Sequence, residues 1–266
     1  MHKIKGYKDE WRVQEYLLIT FFISWLSWGI LVTLSALNIA GLNSIIGMIL
    51  FVIGGFGPTI SAILCLEGKL SFRKVWNFIV SHKKKTIGYF LLFAVLMILI
   101  VGLSSMETNP EMPWYSLPLV FIVCTLFGGG NEELGWRGTL QPVLERAMSK
   151  RIKQPVLSFV VTTLIVGAIW AVWHLPLWFV AGSTQQGINF GLFALDAVLV
   201  SFWLACVYRR TGSVLYCMIL HGLTNILMSF FVIKVNWILI VSYLALTALA
   251  IFLSARAKPV KPFVEE

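Results

Sequence analysis

Apolar residues in this chain gather into eight long, nearly charge-free runs, roughly Tyr16–Leu37, Ile45–Leu66, Ile87–Leu103, Leu117–Met148, Val156–Ala181, Ile188–Tyr208, Ser213–Ile233 and Trp237–Leu253. A helix that crosses a bilayer needs about 20 mostly apolar residues. Backbone in lipid must satisfy its own hydrogen bonds, so runs of this length read as helices. The pattern predicts an all-α, polytopic bundle of about eight transmembrane helices. Short connections leave no room for a separate soluble domain, and residues 1–266 read as a single integral membrane domain. The first run is too long for a signal-peptide core and no small-residue cleavage site follows it, so it reads as a retained span. The fourth run is too long for one plain span, and ionisable residues interrupt it.

Two glycine clusters break the pattern. Gly54-Gly-Phe-Gly57-Pro58 falls inside the second run, where neighbouring helices can re-satisfy the backbone, and it predicts a kink or a close helix crossing. Gly128-Gly-Gly130 strips side-chain bulk from the turn before two glutamates, which lets helices approach or leaves room for a substrate backbone. In the basic connection from Glu67 to Lys85, Leu70, Val75, Trp76, Phe78 and Ile79 interleave with lysines and arginines, the pattern of an interfacial amphipathic helix.

Composition narrows the class. The chain is 58% hydrophobic and 12% charged, whereas soluble domains run about 45–50% apolar and about 25% charged. Its net charge of +9 raises nucleic acid as a partner, but the distribution excludes that reading. Of the 21 Lys and Arg, 19 fall on one side of an eight-span layout. The opposite loops hold Lys234, and Arg137 lies within a run. Under the positive-inside rule both termini are cytoplasmic and Met106–Pro118 is the main outer loop. The partners implied are the lipid bilayer and a membrane-associated peptide or protein. Nothing in the pattern sets an oligomeric state, and the compact build points to a bacterial plasma membrane. Cys65, Cys124, Cys206 and Cys217 lie in or at the ends of apolar runs without a CxxC pair, and read as small buried residues.

The chemistry lies where charge meets membrane. Glu132-Glu133-Leu-Gly-Trp-Arg137 sits in the fourth run, His174 in the fifth and His221 in the seventh. A charge at bilayer depth costs at least about 2.5–3.5 kcal/mol, so such residues face a cavity or a partner. Adjacent helical positions project about 100° apart, so the two glutamates point differently. Glu133 and Arg137 are spaced i, i+4 with the acid first, the better order for an ion pair. This leaves Glu132 as the freer carboxylate, suited to a general base, although a buried Glu–Arg pair can also serve packing alone. Asn225 follows His221 by one turn on the same face. A base, a second proton carrier and neutral donors for an oxyanion suit water-mediated amide hydrolysis. Glu, Asp and His in spans also suit a proton-coupled transporter, but no inverted repeat accompanies them. Asp196 is a further acid in the sixth run, read as either a partner of the site or a packing residue.

Glu132-Glu133-xxx-Arg137, an aromatic-xxx-His174 and His221-xxx-Asn225, in that order, resemble the motifs of the CPBP family of intramembrane proteases. That family, also called Abi, groups CAAX-type prenyl-protein endopeptidases with bacterial relatives tied to bacteriocin processing or self-immunity. The motifs span about Gly128–Asn225, within a family-like core at about 117–233. The resemblance implies that Glu132 and His174 activate the attacking water, that His221 and Asn225 stabilise the oxyanion, and that Glu133 and Arg137 organise the site. One departure is Trp170, where the usual pattern has Phe. The family is commonly labelled metalloprotease, and Glu132, His174 and His221 offer a two-histidine, one-carboxylate zinc site. Without HExxH, the CAAX-type members point instead to glutamate and histidine alone. A non-catalytic scaffold or bacteriocin-immunity protein on the same fold is the alternative. Depth poses one difficulty. At about 1.5 Å per residue, Glu132, His174 and His221 fall about 21, 27 and 12 Å from the starts of their spans, so straight parallel helices would not bring them together.

Overall fold

A computed structural model describes residues 5–67, 69–255 and 257–265. Lys3 and Arg256, two of the basic residues counted above, lie outside the described residues. Among the described residues the structure is all-helical apart from an isolated antiparallel bridge between Thr108 and Phe231. The helices are α1 (Lys5–Ala36), α2 (Ile45–Gly55), α3 (Gly57–Leu64), α4 (Phe72–Val80), α5 (Ile87–Ser104), α6 (Leu117–Leu126), α7 (Glu133–Gly135), α8 (Gln141–Arg151), α9 (Pro155–Trp173), α10 (Phe190–Thr211), α11 (Val214–Phe230) and α12 (Trp237–Ser254).

Among the described residues six stretches are long and apolar enough to cross a membrane, and the bent pair α2–α3 makes a seventh. At 17 residues α11 falls short of that length, so the expected eight is reached only with α11 included. Side chains such as Leu18, Phe22, Ile45, Leu119 and Phe252 are exposed on the outside of the bundle, as a lipid-facing surface requires. This is a multi-pass membrane protein. The amphipathic helix expected between the second and third runs forms as α4, with Phe72 and Trp76 exposed.

Local chemistry sets where helices start and stop. Asn189 begins α10 by accepting from the N–H groups of Gly191 and Leu192, and Asn236 begins α12 by accepting from Leu239. Gly212, at φ 69°, ends α10 in the left-handed region, its N–H bonded to Tyr208 O.

The Gly-Pro cluster of the second run is both a kink and a close crossing. α2 and α3 meet at 50°, and the carbonyls near the break find new donors. Ser24 Oγ donates to Gly54 O at 2.7 Å, Asn131 Nδ2 to Gly55 O at 2.8 Å and Trp28 Nε1 to Phe51 O at 3.1 Å. A Cβ on Gly57 would lie 2.0 Å from Ser24 Oγ, so only glycine lets α1 come this close.

The two ends of the bundle differ in charge. At one end Arg12 pairs with Glu67 and Glu265, Arg146 forks onto Glu265 at 2.6 and 3.1 Å, and Arg209 pairs with Glu145 at 2.6 Å. Lys83 Nζ also donates to Arg209 O there. At the other end Lys234 meets Glu107 at 2.5 Å, and Asn109 is bonded to the backbone of Phe230 and Ser229. Arg12, Lys83, Arg146 and Arg209 thus form a basic layer at one end.

Arg146 and then Arg12 hold the Glu265 carboxyl below the ordinary carboxylate range, against a smaller opposing effect of partial burial. A depressed carboxyl contributes stability that is full above its unfolded value and is lost as pH falls through its folded value. Thermal stability in detergent should therefore fall below about pH 4 in part through this clasp. Glu265→Gln should lower the melting temperature at pH 7 and flatten the acid slope. An unchanged slope would remove the clasp from the stability of the bundle.

Candidate active site

The difficulty of depth is resolved by breaks in the helices. α6 ends at Leu126, after only 10 residues, and the chain turns sharply through Gly128–Gly130. Gly129 has φ 134°, and a Cβ there would lie 2.5 Å from Asn225 Nδ2 and 2.6 Å from His221 Nε2. The glycine therefore lets the turn press against α11, and those two nitrogens converge on one point. Asn131 holds the turn. Its Oδ1 accepts from Gly129 N at 3.0 Å, its side-chain amide reaches Gly55 O, and its own carbonyl accepts from Thr59. Beyond α7 a single π-helical turn, Trp136–Leu140, carries Arg137. Such turns concentrate at functional sites.

Glu132 is 5% exposed, and both its bonds fall on one oxygen. Oε2 accepts from Trp170 Nε1 at 2.8 Å and from Trp136 Nε1 at 3.1 Å. Oε1 is left to the cavity that the residue lines. His174 caps the end of α9, at the far end of its span. Its Nδ1 lies 2.8 Å from Trp170 O. A carbonyl only accepts, so Nδ1 carries the hydrogen and Nε2 keeps its lone pair. The rings of Trp173, Phe193 and Trp170 stand edge-on to the imidazole at 4.6, 5.1 and 5.6 Å.

Glu133 and Arg137 are both fully buried, with Arg137 Nε 3.4 Å from Glu133 Oε2. The expected i, i+4 pair is therefore present. Glu133 does more than hold the arginine, because its Oε1 takes the Nδ1–H of His221 at 2.8 Å. With that hydrogen committed, His221 donates from Nε2 only as the doubly protonated ring, for which Glu133 is the counter-charge. Asn225 Nδ2 gives one hydrogen to Gly128 O at 2.5 Å and keeps a second.

Glu132, His174, His221 and Asn225 all line one cavity of about 510 Å³. Asp196 lines it too. The zinc alternative finds no donor set. Among the described residues no three His, Cys, Asp or Glu side chains are grouped to hold a metal ion. One Glu132 oxygen is taken by indoles and both imidazole Nδ1 atoms are committed, which leaves Glu132 Oε1 and the two Nε2 atoms as the free acceptor positions of the three residues. The sequence reading missed Trp136, Asn131 and the N–H of Trp170. Of these only Trp136 left a signal, since it stands i+4 from Glu132.

Fold and site together define a class, a polytopic helical membrane protein with a carboxylate and two histidines around an internal cavity. Residues 113–227 match the family model described as "Type II CAAX prenyl endopeptidase Rce1-like". The chain is also 25% identical over 249 residues to "CAAX prenyl protease 2" of Methanococcus maripaludis, covering 84% of this chain and 85% of that protein. Both likenesses agree with the family that the three motifs suggest. That kinship supports intramembrane endopeptidase activity.

The two glutamates should separate on mutation. Glu133→Gln leaves a buried cation short of its partner and His221 short of its acceptor, and removing one member of a buried pair costs about 3–5 kcal/mol. The amount of folded protein in detergent should drop. Glu132→Gln keeps an oxygen for the two indoles and should melt near the wild type. Equal melting of the two variants would refute this division of roles.

Proposed function

We propose that this protein is an intramembrane endopeptidase that hydrolyses a peptide bond of a membrane-associated protein or peptide through a Glu132/His174-activated water. The observation that carries the reading is the pinning of Glu132. Two neutral indole N–H groups fix one carboxylate oxygen and leave the other open, in a cavity shared with the lone pair of His174 Nε2. A water between those two acceptors is held for attack and gives up a proton as it bonds to the scissile carbonyl carbon. His221 Nε2–H and the second Asn225 N–H then meet the developing oxyanion. The accepted proton passes to the leaving amine as the C–N bond breaks, and the products are an acid and an amine. Glu133 and Arg137 hold His221 in register. Prenylated CAAX proteins, the class in the relatives' printed names, are one candidate substrate within this reading. The protein works as a multi-pass protein of the plasma membrane, in a bacterial cell. The non-catalytic scaffold or immunity reading is not favoured, because all four residues expected to take part in hydrolysis line one cavity.

Glu132→Gln and His174→Ala should each abolish most cleavage of a membrane substrate by purified protein. Groups acting on one water are non-additive, so the double variant should be scarcely worse than either single one. Asn225→Ala should lose about 100- to 1000-fold, the cost of one oxyanion donor. Full turnover by Glu132→Gln would sink the assignment, and chelator-sensitive activity restored by zinc would move the chemistry to a metal.

Trp170→Phe installs the residue usual in the family. It keeps the ring but removes one donor to Glu132. A hydrogen bond to a charged group is worth about 1.5–3 kcal/mol, so kcat should fall about 10- to 100-fold with KM little changed. A matching rise in KM, or a collapse in melting temperature, would assign Trp170 to packing instead.

A further inference from the structure

The cavity has a direction, and the charge of the bundle gives that direction a meaning. From Glu132 and His221 it runs past Asn225 to Ser229 on α11, to Thr184 and Gln185 of the loop before α10, and to Asn109. Thr184 and Ser229 are exposed, so this end is the mouth. Asn109 is bonded to the backbone of Phe230 and Ser229, beside the Glu107–Lys234 pair. Among the described residues, none of the basic layer formed by Arg12, Lys83, Arg146 and Arg209 lines the cavity. Its far side is closed instead by Trp170 and Gly129, with Trp136, Glu133 and Arg137 fully buried around them. Loops rich in Lys and Arg remain in the cytoplasm. Water and substrate therefore reach Glu132 from the opposite side.

We propose, resting on the hydrolytic reading above, that the site takes its substrate from the extracytoplasmic side. The substrate is a membrane-anchored peptide whose cleaved bond lies in the outer half of the bilayer or just above it, flanked by neutral or basic residues. Three features carry the chemistry of that peptide. The mouth offers uncharged hydrogen-bonding groups on Asn109, Gln185 and Ser229, which suit an extended backbone. The walls between the mouth and Glu132 include Phe127, Ile188 and Phe193, which suit an apolar anchor. The loop at this end is acidic, with Glu107 and Glu111 on it, and Asp196 lies in the cavity wall. Lys234, the basic residue there, is already paired with Glu107. An acidic flanking residue would meet like charge, and a basic one would be drawn in.

The test has two arms. Thr184→Cys puts a thiol at the mouth, and Lys84→Cys puts one on the basic layer. Intact cells carrying each variant are treated with a membrane-impermeant maleimide, with the unsubstituted protein and its four native cysteines as background. Thr184→Cys should label from outside, and Lys84→Cys only after permeabilisation. The reverse pattern overturns the proposal. This arm does not depend on hydrolysis. In the second arm, membrane peptidomes of wild-type and Glu132→Gln cells are compared. Fragments lost in Glu132→Gln cells should end in the outer half of anchored proteins, beside neutral or basic residues. Ends on the cytoplasmic side, or beside acidic residues, overturn the proposal. If Thr184→Cys labels from outside and no Glu132-dependent fragment exists, the hydrolytic reading fails and takes the substrate with it, while the side of the mouth stands.

Discussion

The rest of the site depends on one buried line of charge, Arg137–Glu133–His221. All three side chains are withdrawn from solvent, so none of them can be removed without leaving a partner exposed to low dielectric. The line also connects elements far apart in sequence. Glu133 and Arg137 come from the broken middle of the fourth run, and His221 from the centre of α11. A pair of this kind is weak evidence for stability by itself, because desolvation offsets the attraction. What it supplies is register. It commits one imidazole nitrogen and leaves the other beside Asn225, against the Gly129 turn.

Glu132 is stored in a different way. A cation beside it would neutralise the carboxylate and lock it, as happens to Glu133. Instead it receives hydrogen bonds from two indoles, side chains that carry one polar donor on a large apolar body. Trp136 and Trp173 lie edge to face at 5.6 Å, and Trp28 packs on Trp173 at 4.6 Å. The donors are thus set in an aromatic wall that belongs to the hydrophobic core. Two adjacent glutamates acquire different environments because one points along the charged line and the other into the aromatic wall and the cavity.

Much of this was legible in the sequence because it is local. The apolar runs, the i, i+4 ion pair, the amphipathic α4 and the break at Gly57-Pro58 are each written within a few residues. The depth of the site was not, because it depends on α6 stopping at Leu126 and on the left-handed turn at Gly129. A run that is apolar and glycine-rich does not announce where a helix ends. The partners of Glu132 were half legible. Trp136 stands at helical spacing from it, whereas Trp170 arrives from another span and its aromatic character concealed the use of its N–H. The hydrogen bonds that commit Glu132 Oε2 and both Nδ1 atoms were likewise out of reach of the sequence, because their partners are tertiary or backbone atoms.

The two ends of the bundle divide the work. At the basic end, arginines and glutamates from α1, α8, α10 and residues 257–265 are clasped by ion pairs and by carbonyls such as Ala257 O. Those contacts cross between elements and close that end. At the other end, among the described residues, the connections are held mainly by uncharged bonds, and the ion pair Glu107–Lys234 is largely exposed. An exposed pair contributes about 0–1 kcal/mol. Local opening is drawn from regions held by few buried contacts, so on the proposed reading a peptide enters at this end while the charged line behind the site keeps its geometry. On the proposed reading, the clasped half fixes the chemistry and the other half admits what the chemistry acts on.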